Sequence, residues 1–402
     1  MGSTDSARKD AAPQGLGLVF AALALAVFAG AASMRILDAL LPAVALQYGQ
    51  SVGTASMAVT AYALSYSGSQ VFYGPLGDRL GPFRVVYWTT LLSAGAALSC
   101  ALAPSLSWLV VCRFIAGGIA AAIGPLALTL VGHATSNAER PLVLARMTSA
   151  SILGMTVGQM NGGLLGQFFD WQAGFVFTAL LFAGAAMILA RIGARRPDVR
   201  EIGRIVQGES GQGGRSCRLL RRPAVRTTLI WVGLEGLAGY MSLTYAAAML
   251  QRQLEIGPAG AGVVVGFFGV GGIAFALFSR RFLRWWSSDL RAVLGGSLAA
   301  IGFGLAIVVQ TPVSAAACMF CIGLGFFALH NILQVRATCI APDAPSATVS
   351  LFAATFVLAQ AVGAALGGWA FDFFGPSFSF VVSAAVFLGL GLSVSRGDKS
   401  AR

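Results

Sequence analysis

Long apolar runs follow one another along nearly the whole chain, separated by breaks mostly too short to hold a domain, and that alternation admits few folds. About 20 consecutive apolar residues cross a hydrocarbon core as one helix. A helix satisfies its own backbone hydrogen bonds in lipid, which an open strand cannot. Twelve such runs are read, near residues 16–44, 54–73, 83–103, 106–131, 144–168, 173–194, 225–249, 258–282, 291–309, 313–336, 346–370 and 377–395. Composition excludes a soluble globule: 57% of the 402 residues are hydrophobic, only 10% are charged, and the mean hydropathy is +0.78. The expected class is an all-α polytopic membrane protein with twelve transmembrane helices.

A net charge of +12 would point to nucleic acid in a soluble protein. Here the placement of the cations argues otherwise. With the N-terminus cytoplasmic, that side holds 24 of the 27 lysines and arginines, including ten arginines from Arg191 to Arg226. Arg252 alone falls on the far side, and Arg35 and Arg113 fall inside spans. This is the positive-inside bias. The expectation is a multi-pass protein of the cell inner membrane with both termini cytoplasmic, a monomer whose partners are the lipid bilayer, a small-molecule substrate and protons, and not nucleic acid.

Arg8 and Lys9 precede an apolar run ending near Ala31 and Ala32, as in a signal peptide, but the run's length and the eleven spans that follow read as a retained first helix. The six cysteines are dispersed. Cys318-x-x-Cys321 lies within an apolar helix and reads as packing. Neither a metal nor a cofactor is expected. The polar stretch 191–226, rich in Arg, Gly and Ser, reads as a linker between two six-helix halves. The expected organisation is a tail at 1–14, a first half at 15–194, a linker at 195–224, a second half at 225–395 and a tail at 396–402. The halves echo each other: Gln159, Gly162 and Gly166 recur 201 residues later as Gln360, Gly363 and Gly367, and Asp170 recurs one residue further on as Asp372.

Between the second and third runs lies Gly74-Pro75-Leu76-Gly77-Asp78-Arg79-Leu80-Gly81-Pro82-Phe83-Arg84. It reads as a compact cytoplasmic hairpin in which glycines permit the turn, prolines bracket it, and Asp78, Arg79 and Arg84 bond helix ends or neighbouring charges. Gly74, Leu76, Asp78, Arg79 and Gly81 resemble the signature Gly-x-Leu-x-Asp-Arg-x-Gly of the major facilitator superfamily, with the following basic residue delayed to Arg84. The resemblance implies two pseudo-symmetric six-helix bundles with a site between them, and a conformational switch formed by Gly74, Asp78, Arg79, Gly81 and Arg84. It would place the partner of Asp78 near Ser346, at the start of the eleventh helix.

The fifth run carries Gly154-x-x-x-Gly158-Gln159-x-x-Gly162-Gly163 and then Gly166. Glycines four apart let helix backbones approach closely. The run is similar to the fifth-helix signature of the superfamily's antiporters, with Gln159 in place of a proline, so Gly158, Gly162 and Gly163 join the expected switch. Leu109-x-x-x-Arg113-x-x-Ala116-Gly117 resembles a fourth-helix pattern of the family, with Ala116 for Gln. The stretch Arg35 to Pro42 is similar to that of bacterial drug-efflux members.

A charge near mid-membrane costs roughly 2.5–3.5 kcal/mol on insertion scales and normally faces a partner or a wet cavity. Arg35 and Asp38 share a helical face, and Arg113 lies at a matching depth, so Arg113 and Asp38 are expected to pair. Glu235 sits near the middle of the seventh run with no cation on its own face. A carboxylate without a neighbouring cation is most readily neutralised by a proton, so Glu235 ranks first as proton carrier and Asp38 second. Arg35, Arg113, Tyr240, His330 and Asn331 are the cavity and substrate candidates, although core packing or interfacial anchoring accounts better for the tyrosine, and helix capping serves equally for His330 and Asn331. The reading is a secondary transporter that exports small organic molecules or drugs in exchange for protons. An uptake symporter is the alternative. An intramembrane enzyme would need motifs such as His-Glu-x-x-His or Gly-x-Ser-x-Gly, which are missing from the chain.

Overall fold

The computed structural model describes residues 16–135, 139–201, 219–285, 287–341 and 345–399. The expected N-terminal tail, most of the expected linker and residues 400–402 lie outside the described residues. Among the described residues the chain forms helical rods: α1 over Gly17–Gln47, α2 over Met57–Leu80, α3 over Pro82–Ala101 and α4 over Leu106–Ala134. They continue with α5 over Arg140–Phe168, α6 over Gln172–Arg195, and α7 in two pieces, Pro223–Leu243 and Ala246–Leu254. The last are α8 (Pro258–Trp285), α9 (Ser288–Ala306), α10 (Pro312–Cys339), α11 (Pro345–Phe374) and α12 (Pro376–Lys399). Eight of the rods are long and apolar enough to cross a membrane by length and composition. Large apolar side chains such as Phe72, Trp88, Leu180 and Leu277 point outward, as a lipid solvent permits.

The two largest apolar cores follow the sequence halves, while a smaller one joins Ile36 and Phe175 of the first half to Tyr245 and Phe371 of the second. Of the two largest, one joins α1 to α6 through residues such as Leu23, Val86, Leu126 and Phe182, and the other joins α7 to α12 through Phe303, Phe326 and Phe387. The repeat spacing of 201 is carried into three dimensions. A β-carbon on Gly162 would collide with the Ile36 carbonyl of α1, and one on Gly363 would collide with the Leu237 carbonyl of α7. Gly166 against the Leu40 side chain and Gly367 against the Met241 carbonyl fall at the same equivalent positions. The pairs α1–α5 and α7–α11 are therefore equivalent, each held close by glycines. Gly163 lies on another face of α5, against Pro258 of α8 in the other half.

The charged hairpin differs from the compact turn expected from its sequence. Helix α2 runs through Pro75 and Gly77 to Leu80, and the turn is Gly81 alone, with φ of +87°. Pro82 then starts α3. Proline is tolerated there because the first helical N–H groups have no partner to lose, and glycine takes the positive φ without a Cβ clash. Asp78 and Arg79 thus lie in the last turn of α2, and Arg84 in the first turn of α3, all exposed. Among the described residues Asp78 has no side-chain partner. The side chain of Ser346, expected nearby, lies outside what the structure describes.

Helices alternate in direction, so the α2–α3 turn, the end of α6 and the start of α7 share one face, here the linker face. Contacts between the halves run from mid-membrane to the opposite face. Asp372 at the end of α11 accepts from Ser51 Oγ (2.6 Å) and from the Gly53 backbone N–H (3.1 Å), ahead of α2. Gln167 at the end of α5 accepts from the Ala259 N–H at the start of α8 (3.0 Å). Gln251 of α7 donates to the Ala39 carbonyl (3.1 Å), and Tyr245 donates to Ser56 (2.5 Å).

Candidate functional site

Helix α1 does not cross as one piece. Its first segment ends at Arg35, a 3-10 turn covers Asp38–Leu40, and a second segment runs Leu41–Gln47 with Pro42 in its first turn. Proline has no N–H, and its ring clashes with the carbonyl four residues back, so Pro42 disfavours a regular helix through Asp38, where the chain takes the 3-10 turn. A break leaves unpaired carbonyls on one side and unpaired N–H groups on the other. The first attract cations and the second anions. Arg35 and Arg113 gather at the carbonyl end, and Asp38 begins the next segment.

Arg35, Asp38, Gln159 and Gln360 form one buried cluster. Arg35 Nη1 lies 3.6 Å from Asp38 Oδ2, within one segment of chain. Gln159 Nε2 of α5 donates to the same carboxylate oxygen (3.4 Å). Arg35 Nη2 donates to Gln360 Oε1 of α11 (2.6 Å), across the seam between the halves. The guanidinium also lies over the Tyr240 ring of α7, 3.9 Å from its centre. Asp38 Oδ1 is buried with no hydrogen-bond partner.

The expected Arg113–Asp38 pair is not formed. Arg113 of α4, only 1% exposed, donates from Nη1 to the Ser33 carbonyl in the last turn of the first segment of α1 (2.9 Å). Its guanidinium lies 4.0 Å from the Tyr62 ring centre and 5.7 Å from that of Phe175. Depth matched, but the break in α1 offers a nearer acceptor than the carboxylate. Arg113 Nε and Nη2 have no hydrogen-bond partner.

Glu235 of α7 is fully buried and is not isolated. His330 of α10 brings Nδ1 to 2.9 Å from Glu235 Oε2. His330 is itself packed against Phe356 (4.5 Å between ring centres) and Phe352 (5.3 Å). Glu235 Oε1 has no partner. No cation stands on the α7 face, as the sequence showed; the basic group comes from a different helix, whose packing only the fold reveals. Asn331, adjacent to His330, is half-buried and has no side-chain partner among the described residues.

Between these groups the centre is nearly closed. A cavity of about 10 Å³, room for one water molecule, lies among Arg35, Met155, Thr156, Gln159, Tyr240 and Phe327. A vestibule of about 600 Å³ opens toward the opposite face, bounded by Pro42, Gln50, Ser51, Gln251, Arg252 and Asp372. Among the described residues no group of His, Cys, Asp and Glu is arranged to hold a metal ion.

The structure brings Arg35, Asp38 and Tyr240 together, pairs Glu235 with His330, and places Arg113 beside the same break without joining it to Asp38. The predicted switch residues Gly74, Asp78, Arg79, Gly81 and Arg84 lie away at the linker face, and Gly158 and Gly162 pack on α1. Two side chains of the buried cluster escaped the sequence reading, Gln159 and Gln360, which had served only as markers of the repeat. Their recurrence at a polar position in otherwise apolar runs was the available signal.

The pattern of the Major Facilitator Superfamily matches residues 23–350. Multidrug export protein EmrB of Escherichia coli (strain K12) is 27% identical over 168 residues, which is 42% of this chain and 32% of that protein. Puromycin resistance protein pur8 of Streptomyces alboniger is 30% identical over 195 residues, 48% of this chain and 37% of that protein. The match thus spans about a third of the length of these relatives. Among solved structures, a bacterial homolog to the human lysosomal transporter Spinster, in an inward-facing and unoccupied conformation, superposes with a TM-score of 0.79 at 15% identity, covering 98% of this chain and 99% of that one. With its sequence matched over most of its length and its two bundles in place, the chain belongs to the Major Facilitator Superfamily.

Proposed function

We propose that this protein is a secondary active transporter that exports small organic molecules or drugs in exchange for protons, by alternating access of a site between its halves. The observation that carries the reading is the pair of buried carboxylates at the centre, Asp38 and Glu235, each with one oxygen lacking any donor. A buried carboxylate oxygen with no donor is costly while charged and is relieved by a proton. Each carboxylate also has a basic side chain within 4 Å to hold its ionised form. Such groups can take up and release protons as the cavity changes sides. Glu235 with His330 is the first-ranked carrier and Asp38 the second. The names of the relatives, multidrug export and puromycin resistance, support organic substrates and the outward direction. The charges are scattered over separate helices, and this favours transport over catalysis.

The cation bias supports a cytoplasmic linker face with both termini on that side, and the reading sets the protein in the cell inner membrane. In this reading the halves divide at the expected 195–224 linker, and a monomer is the expected state because Arg35, Asp38, Gln159, Glu235, His330 and Gln360 all come from one chain. Reporter fusions at Gly208 and Ser400 will read cytoplasm, and one at Gly257 the outer side. The decisive test is transport of a panel of organic compounds into inverted membrane vesicles with and without an imposed proton gradient. Accumulation that requires an acid interior is the expected result. Accumulation in right-side-out vesicles down an inward proton gradient would establish uptake in its place.

A further inference from the structure

We infer that Gln360 is the latch residue through which the protonation of Asp38 controls closure of the two halves, with Gln159, its repeat-related partner, holding the other end of the same ion pair. The two glutamines are 201 residues apart on equivalent helices, and they do opposite jobs. Gln159 uses its amide N–H to donate to Asp38, within the first half. Gln360 uses its carbonyl to accept from Arg35, reaching out of the second half. The positions in α7 that correspond to Arg35 and Asp38 by the same spacing are Gly236 and Gly239. One ion pair therefore serves both glutamines, and it belongs to the first half alone.

That asymmetry makes Arg35 a shared group. Its partners are Asp38 in its own half, and Gln360 and Tyr240 in the other. While Asp38 is ionised the guanidinium is divided between the two. Once Asp38 takes a proton, the pull from its own half falls away, and the groups left to Arg35 both lie across the seam. Protonation then tightens the hold between halves and favours the arrangement seen here, closed beneath the vestibule. Loss of the proton draws Arg35 back and loosens it.

The other charged and titratable groups facing Asp38 leave this ordering intact. Arg113 from α4 is held by the Ser33 carbonyl and the Tyr62 ring. Tyr240 and Tyr245 face it from α7, the second already bonded to Ser56 and the Ala364 carbonyl. Glu235, behind Tyr240, is engaged with His330. Helix α6 brings Phe175 to this region and α8 brings Phe268, neither charged.

The inference rests on Asp38 exchanging a proton during the cycle, as the proposed exchange reading holds. Its test reads conformation and not flux. The full chain, with its six cysteines replaced and transport retained, carries spin labels at Gln50→Cys in the first half and Gln310→Cys in the second, both at the exposed opposite face. Distances are recorded at pH 8 and pH 5.5 in lipid nanodiscs. The short-distance, closed population of the parent protein should grow on acidification, and Asp38→Asn should hold it high at both values. Gln360→Leu removes the acceptor of a charged hydrogen bond and should lower the closed-to-open ratio about tenfold or more at both values. Gln360→Glu, which again offers oxygens to Arg35, should restore it. Gln159→Leu, which touches only the Asp38 end, should keep the latch closed.

A closed-to-open ratio within twofold of the parent in well-folded Gln360→Leu would overturn the latch, as would failure of Gln360→Glu to recover a lost ratio. An unchanged response to pH in Asp38→Asn would overturn the coupling. If the latch variants behave as stated while vesicle transport ignores the proton gradient, the exchange reading fails and the latch stands. If transport is proton-driven and Gln360→Leu is silent, the reverse holds.

Discussion

Glu235 Oε2 and His330 Nδ1 lie 2.9 Å apart, joining α7 to α10 inside the second half. The carboxylate is fully buried while the histidine side chain keeps 18% of its surface exposed. The pair thus has one sealed member and one partly exposed member. Glu235→Gln keeps the shape and mimics the protonated acid. It should abolish proton-driven transport, retain substrate binding and flatten the pH dependence of that binding. Proton-coupled flux at the parent rate in a well-expressed Glu235→Gln protein would reduce the pair to a structural contact.

The α1–α5 seam predicts opposite outcomes for two glycines of the expected switch. A β-carbon on Gly162 meets the Ile36 backbone carbonyl, which cannot swing away as a side chain can, whereas one on Gly74 meets nothing within 4 Å. Gly162→Leu should cost at least about 1–3 kcal/mol of packing and block transport, and Gly162→Ala should already lower thermal stability. Gly74→Ala should leave stability unchanged or raise it by roughly 0.5–1 kcal/mol, since alanine loses less entropy in a helix. Thermal unfolding in detergent beside a transport assay separates these outcomes, and parent behaviour of Gly162→Leu in both would refute the close contact.

Asp78 stands in the last turn of α2, where an anion opposes the helix dipole by typically 0.3–1 kcal/mol. Local stability does not explain a carboxylate there. The expected outcome for Asp78→Asn is slower turnover with substrate affinity nearly unchanged, because the residue lies far from the central cluster and acts on the balance between states. Equilibrium binding on purified protein, set against initial transport rates, checks this. A collapse of binding with the balance of states unmoved would place Asp78 in the substrate site.

Arg113 holds a backbone carbonyl at the α1 break and lies between two aromatic rings. A hydrogen bond to a charged group contributes about 1.5–3 kcal/mol, and a desolvated cation over a ring adds about 2 kcal/mol. Arg113→Ala loses both, while Arg113→Lys keeps the charge and part of the ring contact. Transport and thermal stability should therefore fall further in Arg113→Ala than in Arg113→Lys. Full activity in both would mark Arg113 as a bystander.

The sequence by itself determined the spanning helices, the repeat and the cost that any charge within it must meet. Apolar length sets what can cross lipid, a local property of composition. Arg35, Asp38, Arg113 and Glu235 stood out for the same reason, as charges in segments where charge is expensive. What the tertiary structure decided was their pairing. Helical periodicity reports neighbours three and four residues away on one helix, so Arg35 and Asp38 were legible together. The partners His330 for Glu235, Gln360 for Arg35 and Ser33 for Arg113 come from helices 95, 325 and 80 residues distant. Matching depth could not choose among acceptors at one level of the bundle; the break in α1, exposing a carbonyl beside Arg113 and leaving Asp38 to Arg35 and Gln159, made that choice.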